Sequence, residues 1–423
     1  MASPRPSRVQ ARRRRLTISV IGLVVLATAT VLVLPRLLGP SPAATAQGPD
    51  GSASVVPTTP SPASTPSVPG SGAVEPIAAW LAWVPGGFPA GFAGQVSNTD
   101  AFTATVVVAG DTLWLTRSLD ATGTVVDHPD PPFRIPLDAF AVDPSAYGRF
   151  LPPGDRAAIV DALQAGEAVL GETSASLRGL APGGTIRFGD REVVVGAVAP
   201  DDLVGWSEVL VSRDVGTILG IEHDRYLLAS ADALTVPAFR QVIRSLLPAG
   251  TLMRLERPGG TRFVRVASGV NPPVVMKTVF GEFAAAPRSD DPAFFTPDPV
   301  WYDANIQTRR VPILGEVTCH RKLFPPLLGA LRELVQRGLD DLIHIYSGCF
   351  AARTVGRSAT APPSQHAYGA AIDIDAPTNA MGDTTPAMDP RVVEVFERWG
   401  FKWGGAFVIT DGMHFEYLTP PAA

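Results

Sequence analysis

The period of the apolar positions changes along this chain, and each change marks a different kind of segment. Between Leu16 and about Leu34 the chain is apolar without a single charge. A run of about 17–25 such residues spans a bilayer as a helix, which predicts a membrane helix over residues 16–36. Residues 37–75 have no period; Pro, Ser, Thr, Ala and Gly dominate them and offer too little apolar surface to fold. From 76 to about 290, short apolar runs come in pairs around turn residues. Runs 103–109 and 112–116 flank Gly110-Asp111, 185–188 and 191–198 flank Gly189-Asp190, and 251–257 and 261–267 flank Pro258-Gly259-Gly260. This spacing predicts hairpins and a β-rich domain, with helical spacing at 156–163 and 237–247.

From about Trp301 onward the pattern changes again. In residues 325–338, Leu327, Leu328, Leu331, Leu334 and Val335 recur on one helical face. Residues 341–347 read as a short strand and 369–374 as a second, in which alternation points Ile372 and Ile374 one way and Asp373 the other. Asp389-Pro390 reads as an N-cap with a first-turn proline, opening a helix over 391–399. Trp403-Gly404-Gly405 reads as a turn and 413–418 as a last strand. Residues 300–423 are therefore expected to form an α+β domain, a small, mostly antiparallel sheet with flanking helices.

Charge sets an orientation. Arg5, Arg8 and the run Arg12 to Arg15 precede the apolar segment, and such residues stay on the cytoplasmic side. A single-pass anchor would then leave the rest of the chain outside the cytoplasm. Ala44-Thr45-Ala46 offers the other reading, a signal peptide cleaved at small residues and a secreted product. At about 3.1 Å per residue the Pro-rich linker reaches roughly 100 Å. A net charge of −5 over 423 residues argues against a nucleic-acid partner. The only two cysteines are Cys319 and Cys349. Outside the cytoplasm an isolated pair is most simply a disulfide, and closing a loop of about thirty residues contributes roughly 3–4 kcal/mol. Two buried thiols are the alternative.

Two stretches near the C-terminus carry candidate chemistry. Residues 364–374 (Ser-Gln-His-Ala-Tyr-Gly-Ala-Ala-Ile-Asp-Ile) supply His366 and Asp373, and residues 411–416 (Asp-Gly-Met-His-Phe-Glu) supply Asp411 and His414. Two imidazoles and one carboxylate leave one position open on a tetrahedral Zn²⁺, the catalytic arrangement. They also leave the ion enough positive charge to lower the pKa of bound water toward neutrality. The same donor set serves non-haem iron, where His and Asp usually stand two apart on one strand.

Ser-x-His-x-x-Gly-x-Ala-x-Asp-Ile, then Trp-Gly-Gly, then Asp-x-x-His-Phe-Glu, resembles the M15 family of zinc D,D-peptidases. That family takes in VanY-type D-alanyl-D-alanine carboxypeptidases and L-alanyl-D-glutamate endopeptidases. The run 347–353 (Ser-Gly-Cys-Phe-Ala-Ala-Arg) is similar to the family's Gly-Cys-Tyr-x-x-Arg segment. Ala352, where proline is frequent, and Ala406, where a polar residue is common, depart from the pattern. The resemblance covers about residues 300–418.

The resemblance implies one Zn²⁺ per chain on His366, Asp373 and His414. It makes Asp411 the general base that carries a proton from water to the leaving amine. Arg353 would hold a substrate carboxylate or the developing oxyanion. Ser364 either orients a ligand or substrate or caps its turn, and Glu416 either supports the site or is an ordinary strand residue. Tyr368, Trp403 and Phe415 are expected in the core or cleft wall, and His128, His223, His320 and His344 away from any metal. The resulting expectation is a bacterial, membrane-anchored, extracytoplasmic zinc peptidase acting on peptidoglycan stem peptides. D-alanyl-D-alanine carboxypeptidase action is the first reading, L-alanyl-D-glutamate or D,D-endopeptidase action the second, and a non-catalytic cell-wall-binding protein the third. Residues 180–220 resemble in outline the extracytoplasmic domains of bacterial transporters and cell-envelope proteins. The domain over 76–290 is therefore expected to position the enzyme or bind an envelope partner.

Overall fold

The computed structural model describes residues 79–231, 234–258 and 271–418. The membrane helix expected over 16–36, the basic segment before it, the linker over 37–75 and the strand over 261–267 lie outside the described residues. Among the described residues no helix is long and apolar enough to cross a membrane.

Ten strands build the larger sheet: β1 (Trp80–Trp83), β2 (Ala104–Leu115), β3 (Arg117–Leu119), β4 (Ile135–Val142), β5 (Ala168–Gly171), β6 (Thr185–Phe188), β7 (Arg191–Ala199), β8 (Val209–Ser212), β9 (Asp224–Ser230) and β10 (Arg254–Glu256). Their order is β10-β1-β9-β2-β4-β8-β5-β7-β6-β3. The pairs β4–β8 and β5–β7 are parallel. Parallel neighbours need crossovers, and helices Pro153–Gln164 and Glu172–Arg178 lie in those connections. The unit is thus mixed α/β, which corrects the β-rich expectation. β4 is buried at every position because both its faces are covered. Phe140 and Val142 join Ile159 and Leu163 in one core, while Leu137, Ala139 and Ala141 join Leu170 and Val211 in the other.

The hairpin expected from 103–109 and 112–116 is a single twelve-residue strand, β2. No turn forms at Gly110-Asp111 because β4 pairs with β2 at every position from Ala109 to Leu115. Asp111 is buried, and its carboxylate accepts the N–H groups of Glu222 (2.8 Å) and His223 (3.1 Å) and the Arg225 Nη2 donor (3.0 Å). A residue pair typical of turns serves here as an acceptor inside a sheet. The 185–198 hairpin forms as expected, as do the helices at Pro153–Gln164 and Val236–Ser245. Of 251–257, the stretch Arg254–Glu256 is strand, and it pairs with β1.

In the C-terminal region β11 (Ala285–Pro287) pairs with β12 (Phe295–Pro297), and β13 (Ile306–Val311) with β14 (Gly315–His320). A four-stranded antiparallel sheet follows, with β15 (Tyr346–Gly348), β16 (Ala371–Ile374), β17 (Phe401–Trp403) and β18 (His414–Tyr417) in the order β15-β16-β18-β17. Helices Phe324–Gln336 and Pro390–Arg398 place Leu327, Leu331, Val392 and Phe396 against Ile372, Ile374 and Phe415. Asp389 caps the second helix by accepting the Arg391 N–H. Val335, expected on the apolar face, is 47% exposed. The strand expected over 341–347 begins only at Tyr346 and follows a 3₁₀ turn, Asp340–Leu342. His344 therefore lies outside the strand; its N–H and that of Ile345 are taken by Asp375 Oδ1 at 2.9 and 2.7 Å. The Cys319–Cys349 disulfide is present and ties β14 to the residue after β15.

The large sheet and the C-terminal region belong to one compact unit. Phe280, Phe283, Phe295, Trp301 and Tyr368 form an aromatic core between them. Beside it lies an ionic cluster in which Arg178 and Glu208 are fully buried and Lys277 nearly so. Glu208 Oε1 accepts from Lys277 Nζ (2.7 Å) and Arg178 Nη2 (3.2 Å), and its Oε2 accepts the Asp138 N–H (3.0 Å). Glu282 bonds both cations as well. Burial would raise the Glu282 carboxyl, but Lys277 and Arg178 hold it down at about 2.

Candidate metal centre

Asp373 and His414 meet because β16 and β18 are antiparallel with these two residues in direct register. Cross-strand partners project from the same face, here away from the core that Ile372 and Phe415 enter. His366 arrives from the 3₁₀ turn Gln365–Tyr368. That turn passes into β16 through Gly369, whose φ of +63° and whose approach to His320 N, 2.5 Å from any added Cβ, exclude other residues. The donor atoms of His366, Asp373 and His414 all lie within 4.8 Å of one another. His366 Nε2 stands 3.1 Å from His414 Nδ1 and 3.3 Å from Asp373 Oδ2, and His414 Nδ1 stands 3.0 Å from Asp373 Oδ1. Ligands about 2.0–2.1 Å from a tetrahedral zinc ion lie about 3.3 Å apart, so the spacing suits that ion.

The protonation pattern supports the same reading. His366 Nδ1 is 2.7 Å from the Cys349 carbonyl, which can only accept, so Nδ1 carries the hydrogen and Nε2 a lone pair. His414 Nε2 donates to Glu416 Oε2 at 3.3 Å, which leaves a lone pair on Nδ1. Two lone pairs and a carboxylate therefore face one another with no hydrogen between them. Such a set is stable only around a cation or added protons. Without a metal the site draws a proton instead: burial would lower His414, but Asp373 and Glu416 raise it to about 10. Burial would raise Asp373, yet bonds with both imidazoles hold it well below its ordinary value. The residues fit a zinc ion.

Glu416 is thus the hydrogen-bond partner of the His414 ring on the side away from the three-donor cluster. Replacing it with alanine should weaken metal affinity by about 10–100-fold, measurable by competition with a chromophoric chelator. Unchanged affinity would remove Glu416 from that role. Ser364 does not cap its turn; its buried hydroxyl has no partner among the described residues.

Asp411 precedes His414 in a turn that closes under Gly404. The Asp411 N–H donates to the Gly404 carbonyl at 2.9 Å, and a Cβ on Gly404 would fall 2.6 Å from Asp411 O. The Trp-Gly-Gly turn therefore holds the acid in place, a role that its composition did not reveal. Asp411 Oδ1 is buried without a partner, and burial pushes this carboxyl above its ordinary range, with His414 opposing. Arg353 is half-buried; burial lowers its guanidinium, while Asp373 and Asp411 act in the other direction.

The other histidines lie elsewhere. His320 is buried with both nitrogens engaged: Nε2 donates to the Phe280 carbonyl and Nδ1 accepts from the Lys322 N–H. Burial depresses it to about 4. His223 bonds Asp111, and His344 is exposed beside Asp375. Tyr368 and Phe415 are core residues, and Trp403 is half-buried with its indole N–H on the Gly412 carbonyl. The missed contributors are the Cys349 carbonyl and Gly404. Neither signals itself, since a backbone acceptor has no residue type and glycine pairs are common turn residues.

Residues 357–417 match the M15 peptidase family model described as D-alanyl-D-alanine carboxypeptidase, which supports a peptidase of that family at the C-terminal end. No curated protein matches the chain. Among the solved structures similar to part of it are two extracytoplasmic domains. One is the periplasmic region of MacB from Actinobacillus actinomycetemcomitans, at 11% identity over 43% of this chain and 88% of that one, with a TM-score of 0.30. The other is the extracellular domain of the noncanonic ABC-type transporter YknZ from Gram-positive bacteria, at 13% identity over 46% of this chain and 96% of that one, with a TM-score of 0.25.

Proposed function

We propose that this chain is a zinc-dependent peptidase of peptidoglycan stem peptides, acting as a D-alanyl-D-alanine carboxypeptidase. The observation that carries the reading is the convergence of three lone-pair donors, with a buried carboxylate oxygen of Asp411 left without a hydrogen-bond partner three residues before His414. Zn²⁺ on His366, Asp373 and His414 would polarise the scissile carbonyl and lower the pKa of water. The chain's own residues supply the rest. Asp411 accepts a proton from the attacking water and returns it to the departing amine, and burial strengthens its hold on that proton. Arg353 grips the terminal carboxylate of the substrate through charge-assisted bonds. The Cys349 carbonyl and Glu416 hold the two imidazoles in the tautomers the site needs.

A carboxylate-binding arginine favours removal of a terminal residue. Cleavage at an internal bond, the endopeptidase reading, would use Arg353 on the oxyanion alone. The disulfide suits an oxidising compartment. With the apolar run over 16–36 it supports a bacterial membrane anchor with the catalytic region outside, where stem peptides are found. Mass spectrometry of defined muropeptides incubated with the protein, with and without a chelator, tests the proposal. Zinc-restorable loss of one alanine is the expected result; scission inside the stem would support the endopeptidase, and no cleavage by zinc-loaded protein would refute both.

A further inference from the structure

We propose that the large sheet sets the position of the substrate arginine, with Arg225 and Thr360 as positioning residues that act through Arg353. The inference rests on the peptidase reading for its substrate, but its structural content stands separately. Residues 353–364 form a loop with both ends at the candidate site. Arg353 opens it, and Ser364 closes it two residues before His366. Its neck is pinned by the Ser364 N–H on the Arg353 carbonyl (3.0 Å) and the Val355 N–H on the Pro362 carbonyl (2.9 Å). Residues 355–359 are exposed, so the loop has little apolar anchorage of its own until Thr360.

There it docks on the sheet. The Thr112 N–H of β2 donates to the Thr360 carbonyl at 2.8 Å, and Arg225 Nη2 reaches Thr360 Oγ1 at 3.4 Å. Arg225 is itself held, by the Gly110 carbonyl and by Asp111 Oδ1 at 3.0 Å. The opposite side of the loop is gripped too. The Ala293 carbonyl accepts both the N–H (2.9 Å) and the hydroxyl (3.2 Å) of buried Thr354. The Phe295 N–H donates to the Ala352 carbonyl at 3.2 Å. β12, which carries Phe295, pairs with β11, and Ala285 of β11 exchanges two backbone bonds with Arg134 just before β4. Among the described residues the Arg353 guanidinium forms no ion pair, and its one hydrogen bond, to the Thr354 carbonyl, is 3.5 Å long. Its backbone is thus fixed from the sheet while its charged end stays available. A misplacement of about 1 Å in such a clamp is enough to impair a reaction. This gives the Gly110-Asp111 pair in β2 a purpose beyond strand pairing: it holds the arginine that holds the loop.

The test uses the full-length, zinc-loaded chain with the substitutions Arg225→Ala, Thr360→Val and Thr360→Ser. Amide hydrogen exchange should quicken about tenfold at Val355 and Ala361, the order of one hydrogen bond to a charged group, with β16 and β18 unchanged. With an N-acetylated peptide ending in D-Ala-D-Ala, Arg225→Ala should raise KM roughly tenfold and leave kcat nearly unaltered. Thr360→Val should move KM in the same direction, and Thr360→Ser should restore it. In an Arg353→Ala background Arg225→Ala should have no further effect. Additive effects, or a fall in kcat at constant KM, would overturn the proposal. If wild-type protein neither binds nor cleaves the peptide, the peptidase reading fails, and hydrogen exchange alone decides: an unquickened loop refutes the positioning role. Should Arg225→Ala fail to fold, Thr360→Val, which alters one side chain at the loop tip, carries the same measurements.

Discussion

Asp411→Ala is expected to lower kcat by roughly 10²–10⁴-fold with the metal still bound. The three converging donors belong to His366, Asp373 and His414, and the bonds that orient the imidazoles come from Cys349 and Glu416. None of these involves Asp411. Its backbone N–H keeps the Gly404 carbonyl whatever the side chain, and its buried Oδ1 leaves no donor behind when removed. The loss should therefore be chemical rather than structural. Asp411→Asn, of the same shape but unable to take a proton, should be equally inactive. Metal analysis beside steady-state kinetics separates the cases: a metal-replete, fully active alanine variant would take the base role away from Asp411.

The largest stability effect should follow Glu208→Ala, at about 3–5 kcal/mol. Removing one member of a buried ionic cluster leaves its partners charged and desolvated. Here Arg178 would keep only Glu282 and the more distant Asp127, Lys277 would keep Glu282 and the Pro136 carbonyl, and the Asp138 N–H would lose its acceptor. The damage should spread. Lys277 sits on helix Pro273–Phe280, whose last residue accepts hydrogen bonds from Trp301 and His320 at the junction with the C-terminal region. Urea unfolding should show a lower midpoint than wild type, with Glu208→Gln between the two because the amide oxygen still accepts. An unshifted midpoint in the alanine variant would mean that Glu282 and Asp127 suffice to neutralise both cations.

The short C-terminal elements were legible because local rules govern them. Alternation in β16 placed Ile372 and Ile374 in the core and Asp373 outside it, and Asp389-Pro390 marked a helix start that the structure reproduces. The same rules misread Gly110-Asp111. Turn propensity is a weak preference, and pairing of β2 with β4 along seven successive residues outweighs it. They misread 341–347 for a related reason: a buried carboxylate, Asp375, takes two N–H groups that a strand would have given to a neighbour.

The sequence by itself offered the donor set His366, Asp373 and His414 and the cysteine pair, which sit in short stretches whose spacing and chemistry are readable without a fold; the resemblance to a peptidase family added the roles expected of Asp411 and Arg353. Only the tertiary structure decided which imidazole nitrogens face inward, because that depends on the Cys349 carbonyl and on Glu416 as partners. Only it joined the large sheet to the C-terminal region, through a buried ionic cluster and the docking of Thr360 on β2. Contacts between residues far apart in the chain leave no period or motif in either segment, and burial, which gives such contacts their strength, exists only once the chain has folded.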